Sequence, residues 1–245
     1  MSFTDTVKTT ESGAILYDTA IINQISDAAF SAKSWPTVER VTGAYRSAGR
    51  GNTLYVSDGS NDYVLKRYLR GGVIGRVVRE HYCWLGEKHT RAFAEWRLLS
   101  KLVDMGLPVP RPAAARYRRL GPVYSADLLT LRIPGIRSLA DRIAARQGGE
   151  YFWQRVGTGL QRFHQSGVCH ADLNAYNVQI DEQGILWLLD FDRGRLLPPG
   201  TWQQKNLARL HRSLQKLKGA DRQFGYSEAS WEQLLEGYFS ASRSA

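Results

Sequence analysis

The sequence predicts an α+β fold in two lobes, the first rich in strands and the second rich in helices. Three observations carry this. Between Thr53 and Leu131 several short extended runs, Thr53 to Ser57, Asp62 to Tyr68, Ala113 to Tyr117 and Val123 to Leu131, are bounded by turn formers. Beyond Ser138 the apolar residues recur mostly at helical spacing. Between the two patterns Ile133-Pro134-Gly135 interrupts the chain, so residues 1–132 are expected to form one lobe and residues 133–245 the other.

Taken in order, the first forty residues carry little pattern and are expected to lead into the first lobe rather than build its core. Gly49-Arg50-Gly51-Asn52-Thr53 forms a short glycine loop ahead of the first clear strand. Asp58-Gly59-Ser60-Asn61 is a turn, and the strand after it presents Lys66. Arg67, Arg70, Arg76, Arg79, Lys88 and Arg91 make the next segment basic: either a solvated insert or a clamp for an anionic ligand, since guanidinium suits planar anions. Phe93, Trp96, Leu99, Leu102 and Val103 share one face of a helix that Gly106 and Pro108 end. Two strands follow around Gly121-Pro122.

In the second lobe, Ser138 to Asp141 resembles a capping box. Phe152, Val156, Leu160 and Phe163 mark a helix that stops near Gly167. Val178 to Ile180 and Ile185 to Leu189 form a hairpin around Glu182-Gln183-Gly184. Trp202 to Lys218 reads as a helix with Lys205, Arg209, Arg212 and Lys216 in one stripe and Leu207, Leu210, Leu214 and Leu217 on the opposite side.

Lys and Arg number 33 against 23 acidic residues, a net charge of +10, which favours anionic partners: nucleic acid, acidic lipid or phosphorylated sugar. The chain shows no recognised nucleic-acid module, so nucleic acid is not an expected partner, and no obligate protein partner is evident. Cys83 and Cys169 have neither metal-ligand nor disulfide-framework spacing, and a reducing compartment is expected. The polar N-terminus is not read as a signal peptide, and no run approaches the ~20 apolar residues of a spanning helix, so any membrane contact is expected to be peripheral.

The densest chemistry lies in His170-Ala171-Asp172-Leu173-Asn174-Ala175-Tyr176-Asn177, followed by the hairpin and Asp190-Phe191-Asp192. Phosphoryl transfer needs a carboxylate to accept the hydroxyl proton, oxygen ligands for Mg²⁺, and a cation on the α- and β-phosphates. Asp172 suits the base. Asn177 and Asp190 suit the metal, with Asp192 a second metal candidate. Lys66 suits the cation, with Glu95 as its partner. His164 and His170 are read as scaffold, Cys169 as a small filler, and the tryptophans as core.

HxDLxxxN followed by a hairpin and DF[GD] resembles the protein-kinase-like signature. The wording CHADLNAYN, LLDFDRGR and NLARLHRSL is similar to the lipopolysaccharide core kinases, and within them to the 3-deoxy-D-manno-octulosonic acid (Kdo) kinases, over roughly Gly49 to Lys218. The resemblance implies a protein-kinase-like bilobal fold with ATP and Mg²⁺ as cofactors. Gly49, Gly51, Lys66 and Glu95 would serve the nucleotide. The implied reaction is transfer of the γ-phosphate to the 4-hydroxyl of Kdo on a lipid A precursor. It implies an anionic membrane surface at the cytoplasmic face of a Gram-negative inner membrane. Arg70, Arg193 and Arg195 are the acceptor-binding candidates. Asn174 stands where protein kinases carry a lysine that touches the γ-phosphate, Asp192 stands in place of glycine, and no A-P-E follows, which argues for a non-protein acceptor. A heptose kinase, an atypical protein kinase, a catalytically dead scaffold and a basic nucleic-acid-binding protein remain the alternatives.

Overall fold

The structure is a computed structural model that describes residues 4–40, 53–68 and 82–243. The chain divides into two compact units, Met1–Ile133 and Pro134–Ala245.

The first unit is built on an antiparallel sheet. Its strands are β1 (Asp5–Thr10), β2 (Gly13–Asp18), β3 (Thr37–Arg40), β4 (Thr53–Ser57), β5 (Asp62–Arg67), β6 (Tyr82–Cys83), β7 (Pro112–Leu120) and β8 (Val123–Leu131). They run in the order β1-β2-β7-β8-β5-β4-β3, with β6 pairing to β8. Helix α1 (Arg91–Asp104) buries Phe93, Trp96, Leu99 and Leu102. It ends as Gly106 and Pro108 require. Gly106 takes φ +69°, its N–H reaches Val103 O at 2.9 Å, and the Leu107 N–H reaches Leu102 O at 3.0 Å, which satisfies the last carbonyls.

The first forty residues correct the sequence reading. They do not merely lead in: β1 and β2 extend the sheet, and Ile15, Tyr17, Ile25 and Phe30 belong to its core cluster with Val56, Tyr63, Leu65 and Leu129. The signal was weak for a physical reason. Strand β1 is an almost fully exposed edge whose residues are all polar but Val7, and β2 is buried without alternation, so neither carries the period of a half-buried strand.

The second unit contains β9 (Arg137–Ser138), α2 (Leu139–Ala144), α3 (Phe152–Gln165), β10 (Val168–Cys169), β11 (Val178–Ile180), β12 (Leu186–Leu188), β13 (Arg195–Leu196), α4 (Trp202–Ala220) and α5 (Glu228–Arg243). Ser138 caps α2 by accepting the Asp141 N–H at 3.0 Å. Helices α3 and α5 approach so closely that a Cβ at Gly157 would stand 2.0 Å from Leu234 O, and one at Gly237 2.1 Å from Gln154 O. Larger residues there would force the helices apart. The hairpin β11–β12 turns on Asp181, whose carboxylate accepts the Gln183 and Ile185 N–H groups at 3.0 and 2.8 Å and the Trp187 indole at 2.9 Å.

Candidate active site

Two sets of residues emerge, one in each unit. In the first unit Lys66 lies on β5, opposite Thr53 of β4 and Leu128 of β8. Its ammonium is 3.0 Å from Glu95 Oε2 and 3.2 Å from Oε1, and 4.7 Å over the Tyr68 ring. The Tyr68 hydroxyl also donates to Glu95. Glu95 is buried on α1, and a buried carboxylate is tolerable only with such partners. Glu87, just before α1, accepts the Tyr117 hydroxyl at 3.0 Å, which, after burial, helps push that phenol up to about 12. Of the basic segment, Arg67 is paired with Asp127 at 2.9 Å and Arg91 stacks over Tyr82 at 4.7 Å. Gly49, Gly51 and Arg70 lie outside the described residues, as do Arg76, Arg79 and Glu80.

In the second unit the loop 170–177 is folded around its own polar groups. His170 is buried; its Nε2 donates to Leu189 O at 2.9 Å and its Nδ1 accepts the Asp172 N–H at 3.2 Å. Those two roles require a single ring proton, on Nε2, so the imidazole is neutral scaffold. Phe191 packs edge-on against it, with ring centroids 5.0 Å apart. Asn174 makes the turn: its Oδ1 accepts the Tyr176 and Asn177 N–H groups at 2.9 and 3.1 Å, and its Nδ2 donates to Asp172 Oδ2 at 3.2 Å. Asn177 is buried, with its Nδ2 donating to Asp172 O at 2.8 Å.

Leu189 ties this loop to the next. Its N–H reaches Asn177 O at 3.0 Å while its carbonyl takes the His170 ring proton, so Asp190 follows at a fixed register. Asp190 has φ +63° and Arg193 φ +62°, left-handed conformations that a non-glycine residue holds only when its surroundings impose them. Asp192 is half-buried, and Arg193 and Arg195 are exposed. The geometry therefore joins Asp172, Asn177 and the segment carrying Asp190 through backbone bonds, and joins Lys66 to Glu95.

The sequence reading missed one participant, helix α4. Asn206 brackets His170: its Oδ1 accepts the His170 N–H and its Nδ2 donates to the His170 carbonyl, both at 3.0 Å. Ser213 Oγ accepts the Ala175 N–H at 3.2 Å. Arg209, read from the sequence as one cation of a surface stripe, places Nη1 2.7 Å from Asp172 Oδ1. A buried polar residue beside Leu207 and Leu210 was the available clue, because such a residue must find partners. Nearby, His164 is buried on α3 with Nδ1 2.8 Å from the Tyr238 hydroxyl, and burial pulls its pKa down to about 4.

Three comparisons bear on this arrangement. The profile of the "Lipopolysaccharide kinase (Kdo/WaaP) family" matches residues 35–238. A "3-deoxy-D-manno-octulosonic acid kinase" of Xanthomonas euvesicatoria pv. vesicatoria is 46% identical over 84% of this chain and 82% of its own. The protein so named in Stenotrophomonas maltophilia is 44% identical over the same shares. Among solved structures, the bifunctional kinase-methyltransferase WbdD aligns with a TM-score of 0.46 at 17% identity, covering 84% of this chain and 46% of that one. The chain belongs to the lipopolysaccharide kinase (Kdo/WaaP) family, and it is a kinase.

Proposed function

We propose that this kinase transfers the γ-phosphate of ATP to the 4-hydroxyl of Kdo on a lipid A precursor, in lipopolysaccharide core synthesis. The observation that carries the reading is the locked register of Asp172, Asn177 and Asp190, in a chain 46% identical to a protein named for that acceptor.

Asp172 orients the acceptor hydroxyl and takes its proton. Oδ2, held by the longer bond to Asn174, is the oxygen more open to it. Lys66, fixed by Glu95, meets the α- and β-phosphates. Asn177 and Asp190, with Asp192 beside them, would hold Mg²⁺. The donor set fits: the Asn177 nitrogen is committed to the Asp172 carbonyl, which leaves its oxygen to offer, and an amide oxygen with one or two carboxylates suits a hard cation that draws its other ligands from phosphate and water. When bound, such an ion neutralises phosphate charge. Arg193 and Arg195, both exposed, would contact the anionic acceptor. The exposed Lys205, Arg212 and Lys216 would rest on anionic lipid at the cytoplasmic face of the inner membrane, for which each cation contributes about 1 kcal/mol near the surface.

The test is incubation with labelled ATP, Mg²⁺ and lipid A precursors bearing Kdo, Kdo plus heptose, or neither, with a mixed peptide substrate alongside. Label is expected on Kdo. Label on heptose or on peptides, with Kdo untouched, would overturn the assignment.

A further inference from the structure

The loop 170–177 contains no lysine or arginine, and its histidine is neutral by its own hydrogen bonds. Phosphoryl transfer nevertheless concentrates charge at this point: the base must approach the acceptor oxygen while that oxygen approaches phosphorus. The cation that the structure pairs with Asp172 comes from elsewhere in the sequence. Arg209 places Nη1 2.7 Å from Asp172 Oδ1, across a separation of 37 residues.

Its root is held firmly. Asn206 and Ser213, three residues before and four after Arg209, both bond to the same loop, so the helix face bearing the guanidinium is fixed against it on both sides. The pair itself is half-exposed, 48% at Arg209 and 54% at Asp172, and an ion pair so open contributes little to stability. A precise anchor under a pair of small structural value points to use in the reaction. Arg209 has five N–H donors, and the bond to Asp172 engages one.

We propose that Arg209 is a catalytic residue of the transfer: it holds the Asp172 carboxylate in the resting site and meets the oxygens of the phosphoryl group as it passes to the acceptor. In that step the acceptor oxygen forms a bond to the γ-phosphorus. The bond from that phosphorus to the bridging oxygen breaks, and its electron pair leaves with ADP. The hydroxyl proton goes to Asp172. Arg209 exchanges no proton; its charge offsets that on the equatorial oxygens while the base is being neutralised beside it. The proposal deepens the kinase reading and rests on it.

Two variants, Arg209→Gln and Arg209→Lys, test it, with thermal melting to confirm that both fold. With ATP and the Kdo-bearing precursor, Arg209→Gln is expected to lower kcat by about 10²–10³-fold, the usual loss on removing one donor to developing charge, with KM changed far less. Arg209→Lys should retain part of the rate. A second readout needs no acceptor: binding of ADP alone and of ADP with Mg²⁺ and aluminium fluoride, which stands in for the transferring phosphoryl. Arg209→Gln should weaken the fluoride complex about tenfold or more and leave ADP unchanged. Because this readout is independent of the acceptor, it holds even where the Kdo assignment falls. A normal kcat, or a fluoride complex as tight in Arg209→Gln as in the wild type, would overturn the proposal; the latter result reduces Arg209 to a positioning residue for Asp172.

Discussion

Asn206→Ala isolates the anchoring role of α4. The side chain satisfies both backbone groups of His170, each at 3.0 Å, in a buried setting. Alanine removes both partners and brings none. A buried backbone group left unpaired costs about 1–3 kcal/mol, so the two together cost roughly 2–6 kcal/mol. The better helix propensity of alanine returns about 0.5 kcal/mol. A net loss of about 1.5–5.5 kcal/mol is therefore expected in the second unit. Denaturant unfolding followed by tryptophan fluorescence reads it, since Trp202 sits in the first turn of α4. Turnover should fall as well, because the bracketed residue lies two positions before Asp172 and its imidazole holds the Asp172 N–H. The reasoning is refuted if Asn206→Ala loses under about 0.5 kcal/mol and retains normal kcat, for then neither hydrogen bond matters to the loop.

Four further outcomes are expected. Asp172→Asn should cut kcat by about 10²–10⁴-fold with nearly unchanged ATP affinity; near-normal turnover would remove Asp172 as the base. Glu95→Ala removes the Glu95 carboxylate from Lys66 and should raise the KM for ATP while destabilising the first unit by about 3–5 kcal/mol, as for a broken buried pair; unchanged values of both would count against the pairing role. His164 binds protons less readily folded, at about 4, than unfolded, at ~6.5. Its contribution is complete above pH ~6.5 and is lost as pH falls from ~6.5 towards ~4, by about 3 kcal/mol in all; melting of His164→Gln and wild type at pH 7 and 4.5 should show a shallower decline in the variant. Changing Lys205, Arg212 and Lys216 together to Gln should weaken sedimentation with phosphatidylglycerol vesicles at low salt, and equal binding by wild type and variant would leave these cations as solvated surface.

The turn at residues 170–177 was legible because it is local. Asp172, Asn174 and Asn177 lie within a few residues of one another, and the turn that gathers them is made by their own side chains. Lys66 and Glu95 were legible because a strand and a strongly amphipathic helix place them, and the geometry pairs them at 3.0 Å. What the sequence hid was non-local or without period. Strand β2 is buried on nearly every residue, so its Ile15 and Leu16 offered no alternation to read. The contacts of Asn206, Arg209 and Ser213 span 36 to 38 residues, and no spacing rule within a helix reveals which loop its polar face will meet. Arg209 recurred with Lys205 and Arg212, and its period alone made it look like surface.

The geometry of α4 explains why that stripe was ambiguous. At about 100° per residue, with Asn206 at 0°, Leu210, Leu214 and Leu207 fall near +40°, +80° and +100°, while Lys216, Lys205 and Arg212 fall near −80°, −100° and −120°. Ser213 and Arg209 lie between, near −20° and −60°. The helix thus has three adjoining sectors: a buried apolar one, a loop-facing one and an exposed cationic one. The loop-facing sector is narrow and borders both others, which is why Arg209 can be counted with the surface cations and still bond Asp172. The adjacency also matters for an acceptor tethered to lipid. On the proposed reading, a bilayer met by the cationic sector lies next to the sector that holds the catalytic loop. A sugar standing a short distance above the headgroups then reaches Asp172 without the protein having to extract its lipid anchor.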